Sequence, residues 1–337
     1  YPSHRTMQYP DWVLKNSLKN AGTAKLVGDE PGDGIEGAYG GIPFPKPENG
    51  LQVLWNQAMR YQGPRTDMRF NTFFVDRNGT KTMVGDQETQ FMWAYYDPKA
   101  TSLDTWNYYT GMTKYFGPAA QVGQLFLQKW TTNNSLKDDT TWVYTPGQRR
   151  VRVAPELKYD TPAAAIGGVL SFDELGGFNG RKDRFDWKLI GKQEMLIPYN
   201  NYRATYDTGL LGDKHENPDL MRWEKHRVWV VEGNLRPGKR HIYSKRLMYF
   251  DEDTWLQVGA IGYDHSDQIY RVMNTTSTYL YDMPRVGQPA QLVYDLTKGS
   301  WAATAYLADP RTHQIPYDEL PQQSRFTAET LAGQGLR

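Results

Sequence analysis

The chain has 337 residues, a formal net charge of +1 and no cysteine. That length is enough for one large β domain or two smaller ones, with roughly three-quarters of the unfolded surface buried. Near-neutral charge argues against a nucleic-acid partner, and the lack of cysteine excludes disulfides, thiolate metal sites and cysteine catalysis while leaving an oxidising compartment open.

Residues 1–48 read as irregular, because Pro2, Pro10, Pro31, Pro43, Pro45 and Pro47 and a run of glycines interrupt any regular element. Within them, residues 11–20 are expected to form a short helix with Asp11 as its N-cap. Gly32-Asp33-Gly34-Ile35-Glu36-Gly37 spells G-x-G-x-x-G, but no strand leads into it. Gly40-Gly41-Ile42-Pro43 also forbids the helix that would hold a pyrophosphate, so the motif is set aside. The chain opens on Tyr1-Pro2 and has no signal-like stretch, so a processed chain that has lost an export signal is the expectation. Its longest run of small and apolar residues, 163–170, is far short of the ~20 needed to span a bilayer.

Residues 49–61 form the best helix in the sequence. Asn49 is a natural N-cap, Leu51, Leu54, Trp55, Ala58 and Met59 recur at helical spacing, and Gly63-Pro64 ends it. Such a stripe packs against a sheet or walls a pocket. Residues 65–76 then alternate as a strand, with Met68, Phe70, Thr72 and Phe74 on one face. Asn78-Gly79 is a hairpin turn, and the return strand reaches about Tyr96 with Phe91, Trp93 and Tyr95 on one face. A second hairpin joins 125–130 to 141–144, and Pro146-Gly147-Gln148 turns into Arg149-Arg150-Val151-Arg152-Val153. Residues 162–177 hold one or two short helices, with Ser171 and Glu174 in capping-box spacing. Residues 186–197 form a strand stopped by Pro198, and Asn217-Pro218 opens a short helix through Trp223.

Residues 226–281 carry the most regular pattern. Four β-rich runs are separated by Arg236-Pro237-Gly238-Lys239, Asp251-Glu252-Asp253 and Asp264-His265-Ser266-Asp267, turns too short to join anything but antiparallel neighbours. With Pro237-Gly238 at its turn, one face of the first hairpin shows Trp229, Val231, Leu235, Ile242, Met248 and Phe250, and the other Val228, Val230, Tyr243, Leu247 and Tyr249. A sheet apolar on both faces is either covered on both sides or curved around an apolar pocket. Residues 291–296 and 301–307 add a hairpin, and the polar tail from Asp309 ends in a short helix at 324–332. With no repeat and no linker, one β-rich domain over 1–337 is the simplest organisation: irregular to 48, a sheet core over 49–308 and a polar tail over 309–337.

Signatures of catalysis are missing. There is no G-x-S-x-G elbow, H-E-x-x-H or P-loop, and the six histidines lack the spacing of a metal cluster. Asp251-Glu252-Asp253 and Asp264-His265-Ser266-Asp267 read as ordinary turns whose side chains accept backbone N–H bonds, in preference to calcium loops. Arg149, Arg150 and Arg152, with Arg181, Lys182 and Arg184, form a basic group. It is either a solvated face paired with carboxylates such as Glu156 and Asp183, or a surface that docks an acidic partner.

Several segments together resemble a known family. They include Gly40-Gly41-Ile42-Pro43-Phe44-Pro45, the stretch Trp142-Val143-Tyr144-Thr145-Pro146-Gly147-Gln148-Arg149-Arg150, Asp186-Trp187-Lys188-Leu189-Ile190-Gly191-Lys192 and His226-Arg227-Val228-Trp229-Val230-Val231-Glu232. In this order they resemble a bacterial family catalogued as a domain of unknown function, number thirteen twenty-nine, over nearly the whole chain. The resemblance implies a half-barrel of the LolA and LolB type, an antiparallel sheet around helices with an apolar cavity for acyl chains in a periplasmic protein. It also implies an RND-type inner-membrane transporter of the MMPL kind and an outer-membrane protein as partners. It carries over no catalytic residue.

The expected protein is therefore mainly β, a large curved antiparallel sheet with helices on its concave side, and not an enzyme. It binds a hydrophobic, lipid-like ligand without cofactor or metal. Trp55, Phe91, Trp93, Trp229, Tyr243 and Trp255 are the candidate cavity lining, and Arg149, Arg150 and Arg152 the candidate docking group. With 11 Trp, 23 Tyr and 12 Phe available, a glycan-binding module is one alternative. A non-catalytic adaptor of an envelope transport complex is another.

Overall fold

A computed structural model describes residues 1–103, 106–287 and 290–335. The chain begins with helix α1 (Asp11–Thr23), the ribbon β1 (Lys25–Val27) and β2 (Gly34–Glu36), and helix α2 (Gly50–Ala58). Six strands follow: β3 (Arg65–Val75), β4 (Lys81–Trp93), β5 (Asn107–Gly117), β6 (Leu125–Thr131), β7 (Thr140–Thr145) and β8 (Arg150–Val153). After a stretch of 3₁₀ turns come β9 (Phe185–Pro198), α3 (Tyr202–Tyr206) and the meander β10 (Trp223–Leu235), β11 (Lys245–Asp251), β12 (Gln257–Tyr263) and β13 (Ile269–Thr276). A small ribbon, β14 (Tyr279–Leu280) and β15 (Arg285–Val286), precedes β16 (Ala290–Asp295), β17 (Ser300–Tyr306), β18 (His313–Tyr317) and helix α4 (Ala328–Gly335).

All the long strands join one 14-stranded antiparallel sheet in the order β8-β7-β6-β5-β4-β3-β17-β16-β13-β12-β11-β10-β9, with β18 paired to β3. The outermost strands β8 and β9 do not pair, so the curved sheet stays open as a half-barrel. Its two arms, β3–β8 and β9–β17, meet where β3 pairs β17. Bulges at Thr72/Phe73, Val230/Val231 and Tyr249/Phe250 bend the strands locally.

On the inner face of the second arm, Val231, Met248, Phe250, Met273 and Val293 form the main core with Val53 and Leu54 of α2 and Val169, Leu170 and Phe178 of the 3₁₀ stretch. The opposite face is buried too. Val228, Val230, Leu256 and Val258 cluster with Ile197 and Tyr199, while Leu292, Trp301 and Ala303 pack against Ala204 of α3 and Leu210, Leu220 and Met221. The two apolar faces of the meander thus reflect cover on both sides. Among the described residues, α2 is the one α-helix packed on the sheet's inner face. Helix α3 sits on the other side, and α4 puts Leu331 against Leu125, Leu127 and Tyr144, which alternate with the inward residues of their strands.

Local signals account for much of this. The Asn49 side chain accepts the Gln52 N–H at 3.0 Å and starts α2. Ser171 and Glu174 complete both bonds of their capping box. Other expectations change. Pro10 stands at the N-cap of α1 and Asp11 is its first residue. Tyr95 belongs to a 3₁₀ turn beyond β4. Asn217-Pro218 opens only a 3₁₀ turn, and Trp223 already starts β10. Strands β1, β2, β5 and β18 come from stretches read as irregular, or not read as strands at all.

Candidate functional site

The first arm lines a partly open cavity of about 590 Å³, within the range of small-molecule sites. Alternation along β3 turns Met68 and Phe70 into it, and alternation along β4 turns Phe91 and Trp93 into it. Strand register then builds an aromatic ladder. Trp93 is opposite Tyr109 of β5, and Tyr109 is opposite Trp130 of β6. The Trp93 and Tyr109 rings are 5.7 Å apart, and Tyr109 stacks on Trp130 at 4.2 Å. Phe91 stacks parallel to Trp93 at 6.0 Å. Gly111 is what lets the Tyr109 ring lie along the wall, because a Cβ there would come within 2.3 Å of the Tyr109 hydroxyl.

The side facing the sheet is closed by the stretch between β8 and β9, through Ala163, Ile166, Leu175 and their neighbours. Amide and hydroxyl groups are interleaved with the apolar wall, among them Gln87, Thr89, Thr113, Gln124 and Gln128. At one end the lining includes Arg152 and Glu156, which are solvent-exposed and mark the mouth. At the other it includes the buried Trp93 and Arg60. Arg60 lies just past α2 and is 6% exposed. It donates from Nη1 to the Gln57 carbonyl at 3.1 Å and from Nη2 to Gln62 Oε1 at 3.0 Å. Burial pushes its guanidinium down to about 10.

Of the six residues expected to line a cavity, Phe91 and Trp93 face this one, and the other four lie outside its wall. Trp55 is 1% exposed inside the protein, its ring edge-on to Tyr108 and 4.2 Å below the Lys182 ammonium. Trp229 and Trp255 stack on each other at 6.2 Å in the second arm, under the Lys192 ammonium. Tyr243 belongs to neither strand face, because it lies in the loop before β11, where alternation lapses. Its hydroxyl donates to Glu174 Oε1 at 2.9 Å in a buried network. In that network Arg246 bonds Asp173 Oδ2 at 2.9 Å and Glu174 Oε1 at 3.2 Å, His241 lies 3.2 Å from Asp173, and Arg271 bonds Ser171. Burial opposes ionisation of Asp173, yet Arg246 and His241 outweigh it and hold the carboxyl below its usual range.

The basic group divides as well. Arg149 is in the β7–β8 turn with φ 51°, and Arg150 is exposed on β8, an edge of the sheet. Arg152 pairs with Glu156 at 3.0 Å. Arg181 bonds Asp33 and Asp138, and Arg184 bonds Asp160, all within 3.0 Å.

The acidic turns act as turns: Asp251 Oδ2 accepts the N–H and hydroxyl of Thr254, and Asp264 Oδ1 accepts from Ser266 and Gln268. The histidines are less scattered than their spacing implies. His226 comes to 3.8 Å from Asp251 and 4.0 Å from Asp253, and its other ring nitrogen is 3.2 Å from Glu224. His226, Asp251 and Asp253 are the group, among the residues described, whose ligand-type atoms approach closely enough to hold a metal ion. They meet because β10 pairs with β11, a contact that spacing along the chain does not reveal.

The family model described as "Protein of unknown function (DUF1329)" matches residues 1–332. The chain belongs to this family. It is 33% identical over 344 residues to a Pseudomonas aeruginosa protein named only as uncharacterized, covering all of this chain and 74% of that one. Two solved structures share the fold. One is a DUF1329 family protein from Desulfovibrio piger, with a TM-score of 0.55 and 15% identity, covering 84% of this chain and 97% of the other. The second is a Vibrio parahaemolyticus domain provisionally described as an outer membrane lipoprotein-sorting protein, with a TM-score of 0.55 and 12% identity, covering 84% and 98%.

Proposed function

We propose that this member of the DUF1329 family is a periplasmic carrier or chaperone that holds a hydrophobic, lipid-like ligand in the cavity of its first arm. The observation that carries this reading is the Phe91, Trp93, Tyr109 and Trp130 wall facing a cleft of about 590 Å³. Aromatic and aliphatic walls bind acyl chains by removing them from water, at about 0.8 kcal/mol per methylene, so a chain of about ten carbons reaches micromolar affinity after association costs. No catalyst is required. The likeness to a lipoprotein-sorting domain supports the same reading at the level of fold.

An RND-type transporter and an outer-membrane protein are the proposed partners, on the family resemblance, and the exposed Arg149 and Arg150 are the proposed docking group. A second reading, a glycan module, is favoured by the amides of Gln87, Gln124 and Gln128 beside the ring wall. Native mass spectrometry after lipid extraction, together with titration of a fluorescent fatty-acid probe, separates the two. A co-purifying amphiphile and micromolar probe binding support the carrier. Binding of oligosaccharide without probe binding transfers the site to glycan.

A further inference from the structure

Four arginines among the described residues are less than a tenth exposed: Arg60, Arg246, Arg271 and Arg285. Burying a guanidinium without a counter-charge is costly, and proteins meet that cost with a carboxylate. Three of the four follow the rule. Arg246 is 2.9 Å from Asp173, Arg271 is 3.5 Å from Glu174, and Arg285 contacts Asp318. Among the described residues Arg60 has only the Gln57 carbonyl and the Gln62 amide as hydrogen-bond partners, both neutral.

Arg60 is also the one of these four that lines the cavity. The other charged residues of the wall already have opposite charges near them. Arg152 pairs with Glu156, and Asp173 pairs with Arg246 and His241. Asp139 accepts the Thr131 N–H at 2.8 Å and feels the charges of Lys182 and Arg181. The aromatic ladder shares its cavity with this unmatched cation: Trp93, Tyr109 and Arg60 all line it, and the Tyr109 hydroxyl is close enough to act on the Arg60 charge.

We infer that Arg60 receives the head of the ligand, and that the head is an oxyanion, a carboxylate or phosphate carried on an acyl or alkyl chain. This deepens the carrier reading and rests on it. The tail lies along the Phe91–Trp93 wall, and the head enters first, away from the mouth at Arg152 and Glu156. A planar guanidinium matches both oxyanions through paired N–H donors. Because the charge is fixed and already desolvated, the site discriminates by head group as well as by chain length. A neutral head would leave the guanidinium unmatched.

The test compares dodecanoate, dodecyl phosphate and dodecanol by isothermal calorimetry at pH 7.5, below micelle formation, on the full chain. The two anions are expected to bind about 10- to 100-fold tighter than the alcohol, the worth of a buried hydrogen-bonded charge contact. Which anion is preferred identifies the head. Arg60→Met should erase the difference by weakening the anions alone, and Arg60→Lys should retain part of it. The empty Arg60→Met protein should also melt at the same or a higher temperature, because an unmatched buried charge has been removed. Equal binding of acid and alcohol by the wild-type protein overturns the head-group assignment and leaves the carrier reading standing. Binding of none of the three overturns both. A marked fall in melting temperature on Arg60→Met assigns the guanidinium a structural role and overturns the inference. The wild-type comparison needs no variant to fold.

Discussion

The two arms of the sheet are made by the same rules and end differently. Both alternate inward and outward residues, and both cover their outer face with apolar packing. In the second arm, α2 and the 3₁₀ stretch insert Val53, Leu54, Val169, Leu170 and Phe178 against the strands and leave a dense core. In the first arm the same 3₁₀ stretch stands off from the sheet, and the inward aromatics face open space. The second arm uses its buried charges to fix itself internally, through Arg246, Arg271, Asp173 and Glu174. The first keeps one buried charge for something outside the chain. A strand pattern shows that a face is buried; what buries it is decided by segments distant in sequence.

The contrast can be broken most forcefully at Arg246. Arg246→Ala leaves two buried carboxylates short of their cation and should cost about 3–5 kcal/mol in urea unfolding. A loss below about 1 kcal/mol would mean that the network does not stabilise the filled arm.

The next effect is on binding. Trp93→Ala should weaken a fatty-acid probe about tenfold through lost contact area, whereas Trp229→Ala, outside the cavity, should change affinity by less than about twofold. Equal effects of the two would erase the distinction between the arms.

A third test uses the sign of pH dependence. Burial pushes Asp251 up to about 6, against assistance from Thr254. Its contribution to stability is therefore complete below the ordinary value of 3.8 and lost as pH rises through about 6. Asp173 is held below its ordinary value, so its contribution is present above 3.8 and lost as pH falls. Asp251→Asn should flatten the decline on the alkaline side of 3.8, and Asp173→Asn the decline on the acid side, in unfolding curves taken at a series of pH values. The smallest effect belongs to the mouth. Arg152→Ala removes an exposed pair and should change stability by no more than about 0.5 kcal/mol.

The sequence was most legible where one short motif decides the structure. Asn49 and the stripe behind it lead to α2, Asn78-Gly79 to a hairpin, and Ser171 with Glu174 to a capping box. Strand β5 was missed although Tyr108, Tyr109, Thr110, Thr113 and Tyr115 are strand formers, because Gly111 and Gly117 interrupt the pattern. β18 carries Pro316, which hides a strand that completes the sheet beside β17. The meander resembles a pocket wall in sequence because both its faces are apolar, yet both are covered. Trp229 and Trp255 satisfy each other there, and no local feature separates them from Trp93. Arg60 carried no sequence signal, since its isolation is a property of what fails to surround it.

The strand order has a consequence for synthesis. β3 presents one edge to two partners placed end to end: β17 covers Asn71–Val75 and β18 covers Arg65–Arg69. Both partners are encoded more than two hundred residues later. While a ribosome is still making the intervening chain, the hairpins of the hollow arm can close on one another, but the β3 edge has no mate. An open strand edge invites pairing with a neighbouring chain. This molecule is stitched shut from its final segments, so a translation stalled before residue 300 leaves the seam exposed to its neighbours.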